Sequence, residues 1–478
     1  MADSSGIAVP RALVSLRLHS FVVAILLVQG YVQLSCCSSR VEFLPGFEGP
    51  LPFRLETGYV GVGESEAIQL FYYFVESERN PKEDALFLWL TGGPGCSAFS
   101  GLIYEIGPLN FKIKAYNRSL PELVLNPYSW TKASSIIFVD SPVGTGFSYA
   151  ENPLAYETGD FRQVQHLHQF LRKWLISHPE FISNPLYIGG DSYSGLTVPV
   201  LVQEIMDGND EGKNPAINIQ GYVLGNPATD PGFDNNAPVP FAHGMGLISD
   251  ELYESLKRTC RGNYQISEPS NAECANDLQA FYQCISGLQT AQILEPLCGY
   301  ALPKPGEMLG DRRSLLENFL LVRELTAGLD SGCRADGYKL SYSWTDDDNV
   351  RETLHIRKGS IGDWQRCNYG LKYTKDISST LQYHAKLSAK GLRSLIYSGD
   401  HDMIVPYMGT QAWIRSLNYS IVDDWRSWRV QGQVAGYTRT YSNGMTFATV
   451  KGGGHTAPEY KPEECFGMYE RWISQEPL

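Results

Sequence analysis

The chain is short of charge, and shortest of positive charge. Of 478 residues, 39 are Lys or Arg and 52 are Asp or Glu, a formal net charge of −13. That balance argues against nucleic acid and against an anionic membrane surface as partners. Internal repeats and low-complexity tracts are absent, which excludes a solenoid or repeat array. The N-terminal apolar run Phe21–Val28 is too short to span a bilayer comfortably, and no second run of membrane length follows. The ten cysteines show no zinc or redox spacing. No metal and no cofactor is expected.

What is present points to a large globular protein of the secretory pathway. Hydrophobic residues make up 43% of the chain and aromatics 12%, enough for a large core. Arg11 and Arg17 precede the apolar run, and small residues around Ser35 to Ser39 follow it, so residues 1–38 read as a signal peptide. An uncleaved anchor is the lesser reading. Eight later cysteines should form disulfides in that compartment. The sequons at Asn117 and Asn418 agree with it as glycosylation sites. The expected location is the vacuole or the extracellular space, with no membrane association after signal cleavage.

The organisation is α/β. Tyr59–Val62 and Ile68–Val75 read as strands joined by a turn at Gly63–Glu66. Ala85–Leu90 and Ser135–Asp140 are apolar runs fit for strands buried on both faces. Val164, Leu167, Leu171 and Trp174 repeat at helical spacing within 158–177. Further strands are expected at Leu186–Gly190, Ile217–Leu224, Arg393–Ser398 and Met445–Val450, and a closing helix at 462–474. Strands alternating with helices indicate a mixed, mostly parallel sheet. The character changes between 231 and 341, where cysteines sit in polar, helix-leaning sequence. We read 39–230 and 342–478 as the core and 231–341 as a cap insertion carrying an exposed link.

The chemistry centres on Gly190-Asp191-Ser192-Tyr193-Ser194-Gly195. A strand enters this stretch and a helix leaves it, which throws the Ser192 hydroxyl clear of the backbone in the manner of a nucleophile elbow. The glycine usual at the +2 position falls one residue late, at Gly195. A serine nucleophile needs a base, an acid to orient the base, and donors for the oxyanion. Asp402 or Asp400 follows a buried strand, and His455 lies in a triple-glycine loop after the last strand, the order expected of a hydrolase triad. Gly93, in the glycine-rich loop after Leu90, and Tyr193 would supply the oxyanion N–H groups.

Leu90–Ser97, Asp140–Ser148, Gly190–Gly195, Gly399–Asp402 and Gly453–Thr456 together resemble the serine carboxypeptidase family, over nearly all of the chain after the signal. The resemblance implies an α/β-hydrolase fold with a cap insertion and a Ser192–Asp402–His455 triad, and it selects Asp402 over Asp400. It also implies disulfides Cys96–Cys367, Cys260–Cys274 and Cys298–Cys333, leaving Cys284 and Cys465 unassigned.

The chain departs from the peptidases where they hold the terminal carboxylate of a peptide. Before the glycine pair Gly92-Gly93 it has Thr91 in place of Asn. Before the nucleophile it has Asp191 in place of Glu. The further glutamate is Glu105. Threonine offers one hydroxyl where asparagine offers two amide donors. In these features the chain resembles plant serine carboxypeptidase-like acyltransferases. The resemblance implies a small-molecule 1-O-acyl-glucose donor, typically a hydroxycinnamoyl- or galloyl-type phenolic ester, and a hydroxyl acceptor, in plant secondary metabolism. An acid carboxypeptidase and a catalytically dead binding glycoprotein are the alternatives.

Overall fold

Continuous apolar strands need cover on both faces, and such runs occupy the middle of one large sheet. The computed structural model describes residues 39–113, 119–265, 271–297, 334 and 336–478. The expected signal peptide, the Asn117 sequon and the Cys298–Cys333 pairing lie outside the described residues. The main sheet has twelve strands. They are β1 (Ser39–Phe43), β2 (Pro50–Val62), β3 (Ile68–Val75), β4 (Ala85–Leu90), β5 (Ser134–Val139) and β6 (Tyr149–Ala150), then β7 (Leu186–Asp191), β8 (Ile219–Gly225), β9 (Arg393–Gly399), β10 (Ile421–Val430), β11 (Gln433–Tyr441) and β12 (Met445–Val450).

Their order is β1-β2-β3-β5-β4-β7-β8-β9-β12-β11-β10, with β6 on the side of β3. The run β5-β4-β7-β8-β9-β12 is parallel. Antiparallel strands close both margins. This is an α/β-hydrolase fold. The marginal strands β1 and β10–β11, and the first half of β2, are additions to the sequence reading.

Side chains alternate across β4 and split the core in two. Leu86, Leu88 and Leu90 join the layer formed with helices α1 (Asp160–Ser177) and α2 (Ser194–Asp210). Ala85, Phe87 and Trp89 join the opposite layer, with Trp130 and a later helix, Pro462–Ile473. The helical-spacing residues Val164, Leu167, Leu171 and Trp174 all face the first layer, as a 3.6-residue period requires.

Within 231–341 the helices Asp250–Cys260 and Ala272–Ile285 build a smaller apolar cluster of their own around Leu256, Leu278 and Phe281. The Cys260–Cys274 disulfide closes it. Helix Asp336–Thr345 returns to the core, where Trp344 stacks on Phe99. Among the described residues no helix is long and apolar enough to cross a membrane.

Candidate active site

The turn after β7 is built by close approach. Ser192 has φ 55°, a left-handed conformation that costs a non-glycine residue about 1–2 kcal/mol. A Cβ at Gly190 would lie 2.4 Å from the Leu90 carbonyl oxygen, so only glycine fits there. Ser194 fits the +2 position because its hydroxyl donates to that same Leu90 carbonyl at 3.0 Å. Gly195 is demanded by a different neighbour: a Cβ there would lie 2.2 Å from the carbonyl oxygen of Ala228. The late glycine therefore serves packing against the turn after β8. Backbone bonds from Ser192 N to Gly225 O and from Ala228 N to Ser192 O, both 2.9 Å, hold the elbow in place.

The loops after three parallel strands meet at this turn. Ser192 Oγ lies 2.7 Å from His455 Nε2. His455 Nδ1 lies 2.8 Å from Asp402 Oδ2. Asp402 also accepts from Asn226 Nδ2 at 2.8 Å and from the amides of Ile404 and Val405 at 2.7 and 3.2 Å. Asp400 is engaged elsewhere, with His401 Nδ1 at 2.6 Å and Gly452 N at 2.7 Å. The geometry thus separates two aspartates that the residue pattern alone left open. The arrangement can pass the Ser192 proton to His455 and stabilise the resulting imidazolium at Asp402. Burial lowers the His455 pKa, but the charge and hydrogen bond of Asp402 and the charge of Asp191 outweigh it, and the net shift is upward.

The expected oxyanion donors are the amides of Gly93, which lines the cleft together with Ser192, and of Tyr193, which follows Ser192 in the chain. Gly93 sits at φ 121°, where a side chain is strained. Gly92 presses so close to Ser192 that a Cβ would fall 2.7 Å from the serine Cβ. The glycine-rich loop is tied down by the Cys96–Cys367 disulfide. It is tied again by Ser97 N to Arg366 O at 2.7 Å and Asn368 N to Gly95 O at 2.8 Å. The buried Asp140 binds its far end, accepting from Ser97 Oγ, Ala98 N and Phe147 N.

Thr91, Gly92, Gly93, Glu105, Asp191, Ser192 and His455 all line one cleft of about 170 Å³. Thr91 Oγ1 is buried and has no hydrogen-bond partner among the described residues. Asp191 accepts from Gly92 N at 3.0 Å, and Glu105 from Trp89 Nε1 at 3.1 Å. Burial raises the Asp191 carboxyl to about 6, against the opposing pull of His455. Burial and the charge of Asp191 hold the Glu105 carboxyl well above the usual range.

The sequence reading missed three contributors. Asn226 donates to Asp402, and the Gly225-Asn226-Pro227 turn at a strand end was its signal. Arg366 and the aromatic rings of Tyr338 and Tyr369 line the cleft, with the guanidinium 3.8 Å from the Tyr338 ring centre. The segment 289–293 from the cap holds the histidine loop: His455 N donates to Ala291 O at 2.7 Å and Met403 N to Thr290 O at 2.8 Å. Cys284 is exposed and Cys465 buried, and neither is paired among the described residues. Asn418 is exposed.

The sequence matches the serine carboxypeptidase family model over residues 45–475. It is 55% identical to serine carboxypeptidase-like 2 of Arabidopsis thaliana over 441 residues, 92% of this chain and 93% of the relative. It is 55% identical to serine carboxypeptidase-like 1 of the same plant over 465 residues, 97% and 99% of the two chains. A prohormone-processing carboxypeptidase from Saccharomyces cerevisiae has a similar fold, with a TM-score of 0.72 at 21% identity over 91% of this chain and 95% of that one.

Proposed function

Because the chain belongs to the serine carboxypeptidase family, we propose that it works as one of the family's acyltransferases, moving a phenolic acyl group from a 1-O-acyl-glucose to an acceptor hydroxyl. The observation that carries this reading is the pair Thr91 and Asp191. Both line the cleft beside Ser192, in place of the amide and the longer carboxyl that would hold a peptide's terminal carboxylate. A site built to pair with a carboxylate loses substantially when a donor is removed.

In this reading Ser192 Oγ, deprotonated by His455, attacks the ester carbonyl, and the oxyanion is received by the Gly93 and Tyr193 amides. His455 gives the proton to the departing glucose oxygen. The acceptor hydroxyl then loses its proton to His455 and attacks the acyl-Ser192 carbonyl. The acyl ester of the acceptor forms, and the serine hydroxyl is regenerated. Hydrolysis differs only in that water enters last, so the outcome rests on what the cleft holds and excludes. Phenolic rings suit Tyr338 and Tyr369. Secretion, with function in the vacuole or outside the cell, belongs to the same proposal.

The second reading, an acid carboxypeptidase, is favoured by the Arg366 guanidinium in the cleft, which could receive a terminal carboxylate. Purified protein given a blocked dipeptide, and separately a phenolic glucose ester with alcohol acceptors, tests the two. Transfer to the alcohol is expected. Peptide cleavage with no transfer from any glucose ester would sink the acyltransferase reading.

A further inference from the structure

The two proposed oxyanion donors sit on separate elements, Gly93 on the loop after β4 and Tyr193 at the start of α2. Their spacing therefore has to be fixed by something that reaches both. Residues 366–377 do. At one end of this strap lie the Cys96–Cys367 disulfide and the backbone bonds of Arg366 and Asn368 to the glycine-rich loop. The side chain of Leu371 packs where Cβ atoms on Gly95 or Gly144 would sit, 2.8 Å from each. Tyr373–Thr374 then pairs in parallel with Thr158–Gly159, just ahead of α1. That crossing requires glycine at 159, because a Cβ would lie 2.7 Å from the Thr374 carbonyl oxygen.

The other end of the strap closes on Asp160, which is fully buried. Its Oδ2 accepts from the amides of Asp376 and Ile377 at 2.7 and 2.8 Å. Its Oδ1 accepts from Tyr373 Oη at 2.7 Å and from Tyr193 Oη at 2.9 Å. Tyr193, whose N–H is the proposed oxyanion donor, thus has its phenol pinned to the same carboxylate that anchors the strap. Burial, and then the Asp160 charge, keep both phenols far above their ordinary pKa, so they remain donors. The Lys375 ammonium lies 5.4 Å from the Tyr193 ring centre and covers it.

We infer that Asp160 is a positioning residue for the oxyanion hole: through the Tyr193 phenol and the 366–377 strap it sets the spacing of the Tyr193 and Gly93 N–H groups. This rests on the reading of Ser192 as nucleophile, but on neither choice of substrate. Phosphonylation by a fluorophosphonate probe tests it, since charge develops on the phosphonyl oxygen where these amides point. For Tyr193→Phe the maximal rate of labelling should fall about tenfold, the loss expected of one hydrogen bond to a charged group, with the half-saturating probe concentration unchanged. Asp160→Asn should fall at least as far, and Tyr373→Phe less. Melting is followed in parallel, and Tyr193→Phe decides the matter where Asp160→Asn does not fold. Folded Tyr193→Phe and Tyr373→Phe proteins labelled at the wild-type rate, whatever their melting temperatures, would overturn the inference. Failure of the wild-type protein to be labelled at all would instead overturn the assignment of Ser192.

Discussion

Asp402 and Asp191 are equally buried, 0% and 3% exposed, and both act on His455. Their surroundings differ. Asp402 faces His455, the Asn226 amide and two backbone N–H groups, so every lone pair that points inward meets a donor. Asp191 accepts from the Gly92 N–H and its own backbone N–H and lines the cleft, with Glu105 nearby. A buried carboxylate is stable as an anion only when donors replace the water it has lost. The first aspartate is supplied with donors from a side-chain amide, two backbone N–H groups and His455. The second has its carboxyl raised by burial to about 6. One orients the catalytic histidine, and the other lines the cleft, where we propose that it bears on substrate choice.

Removing the charge from the saturated aspartate is the hardest blow to this contrast. Asp402→Asn keeps the volume but turns an NH2 toward the donors that now meet a carboxylate, and His455 loses the partner that fixes its tautomer. Turnover is expected to fall about 10⁴-fold, as when the equivalent acid is neutralised in other triads, with substrate binding little changed. A loss under tenfold in steady-state kinetics would mean that Asp402 is not the triad acid. Asp400→Asn is the counterpart. Because Asp400 bonds to His401 and the Gly452 amide, its effect should run through loop stability and appear first in melting.

The same contrast explains what the sequence disclosed. Strands β4, β5, β7, β9 and β12 were legible because buried apolar residues such as Leu88, Ile137, Ile188, Ile396 and Phe447 form their middles. The hairpin β10–β11 was not. Its Asp423, Asp424, Arg426 and Arg429 lie on an exposed margin, and three register shifts break the alternation that marks a strand. Ser192, His455 and an aspartate after β9 were legible because glycines and strand ends flank them. The choice of Asp402 over Asp400 needed either the family resemblance or the donors themselves, and one of these, Asn226, is brought in from 176 residues away. No local pattern encodes that meeting. The substrate side was legible only as substitutions, Thr91 and Asp191. The Arg366 guanidinium and the 289–293 support came from segments whose sequence carries no catalytic signature.

Asn226 provides an intermediate test. It donates to Asp402 through Nδ2, accepts from Gly399 N at 3.0 Å through Oδ1, and itself sits at φ 42°. Asn226→Ala removes a donor to a charged group, worth about 1.5–3 kcal/mol, so turnover should drop between roughly tenfold and a hundredfold. Asn226→Asp should do worse, placing a second carboxylate against the first. Equal activity of the alanine variant and the wild type would show that Asp402 needs no fourth donor, and the contrast with Asp191 would shrink to one of position.

The smallest and most specific effect is expected at Asp191. His455 must be neutral to act as base, so the acid limb of the rate profile follows loss of its proton. The Asp191 charge helps to raise that pKa above the ordinary imidazole value, and at such pH Asp191, titrating at about 6, is itself ionised. In Asp191→Asn the negative neighbour is gone and the His455 pKa falls. The acid limb should therefore move to lower pH, with the maximal rate changed less than about tenfold. Stability carries the opposite sign of the same shift. A carboxyl raised in the folded state binds its proton more tightly there than in the unfolded chain, so its contribution is lost as pH rises from about 4 to about 6. The asparagine variant should lose less stability than the wild type over that interval in parallel melts. An acid limb that stays in place would mean that Asp191 is already neutral when His455 titrates, and its role in the cleft would then be that of a donor to substrate.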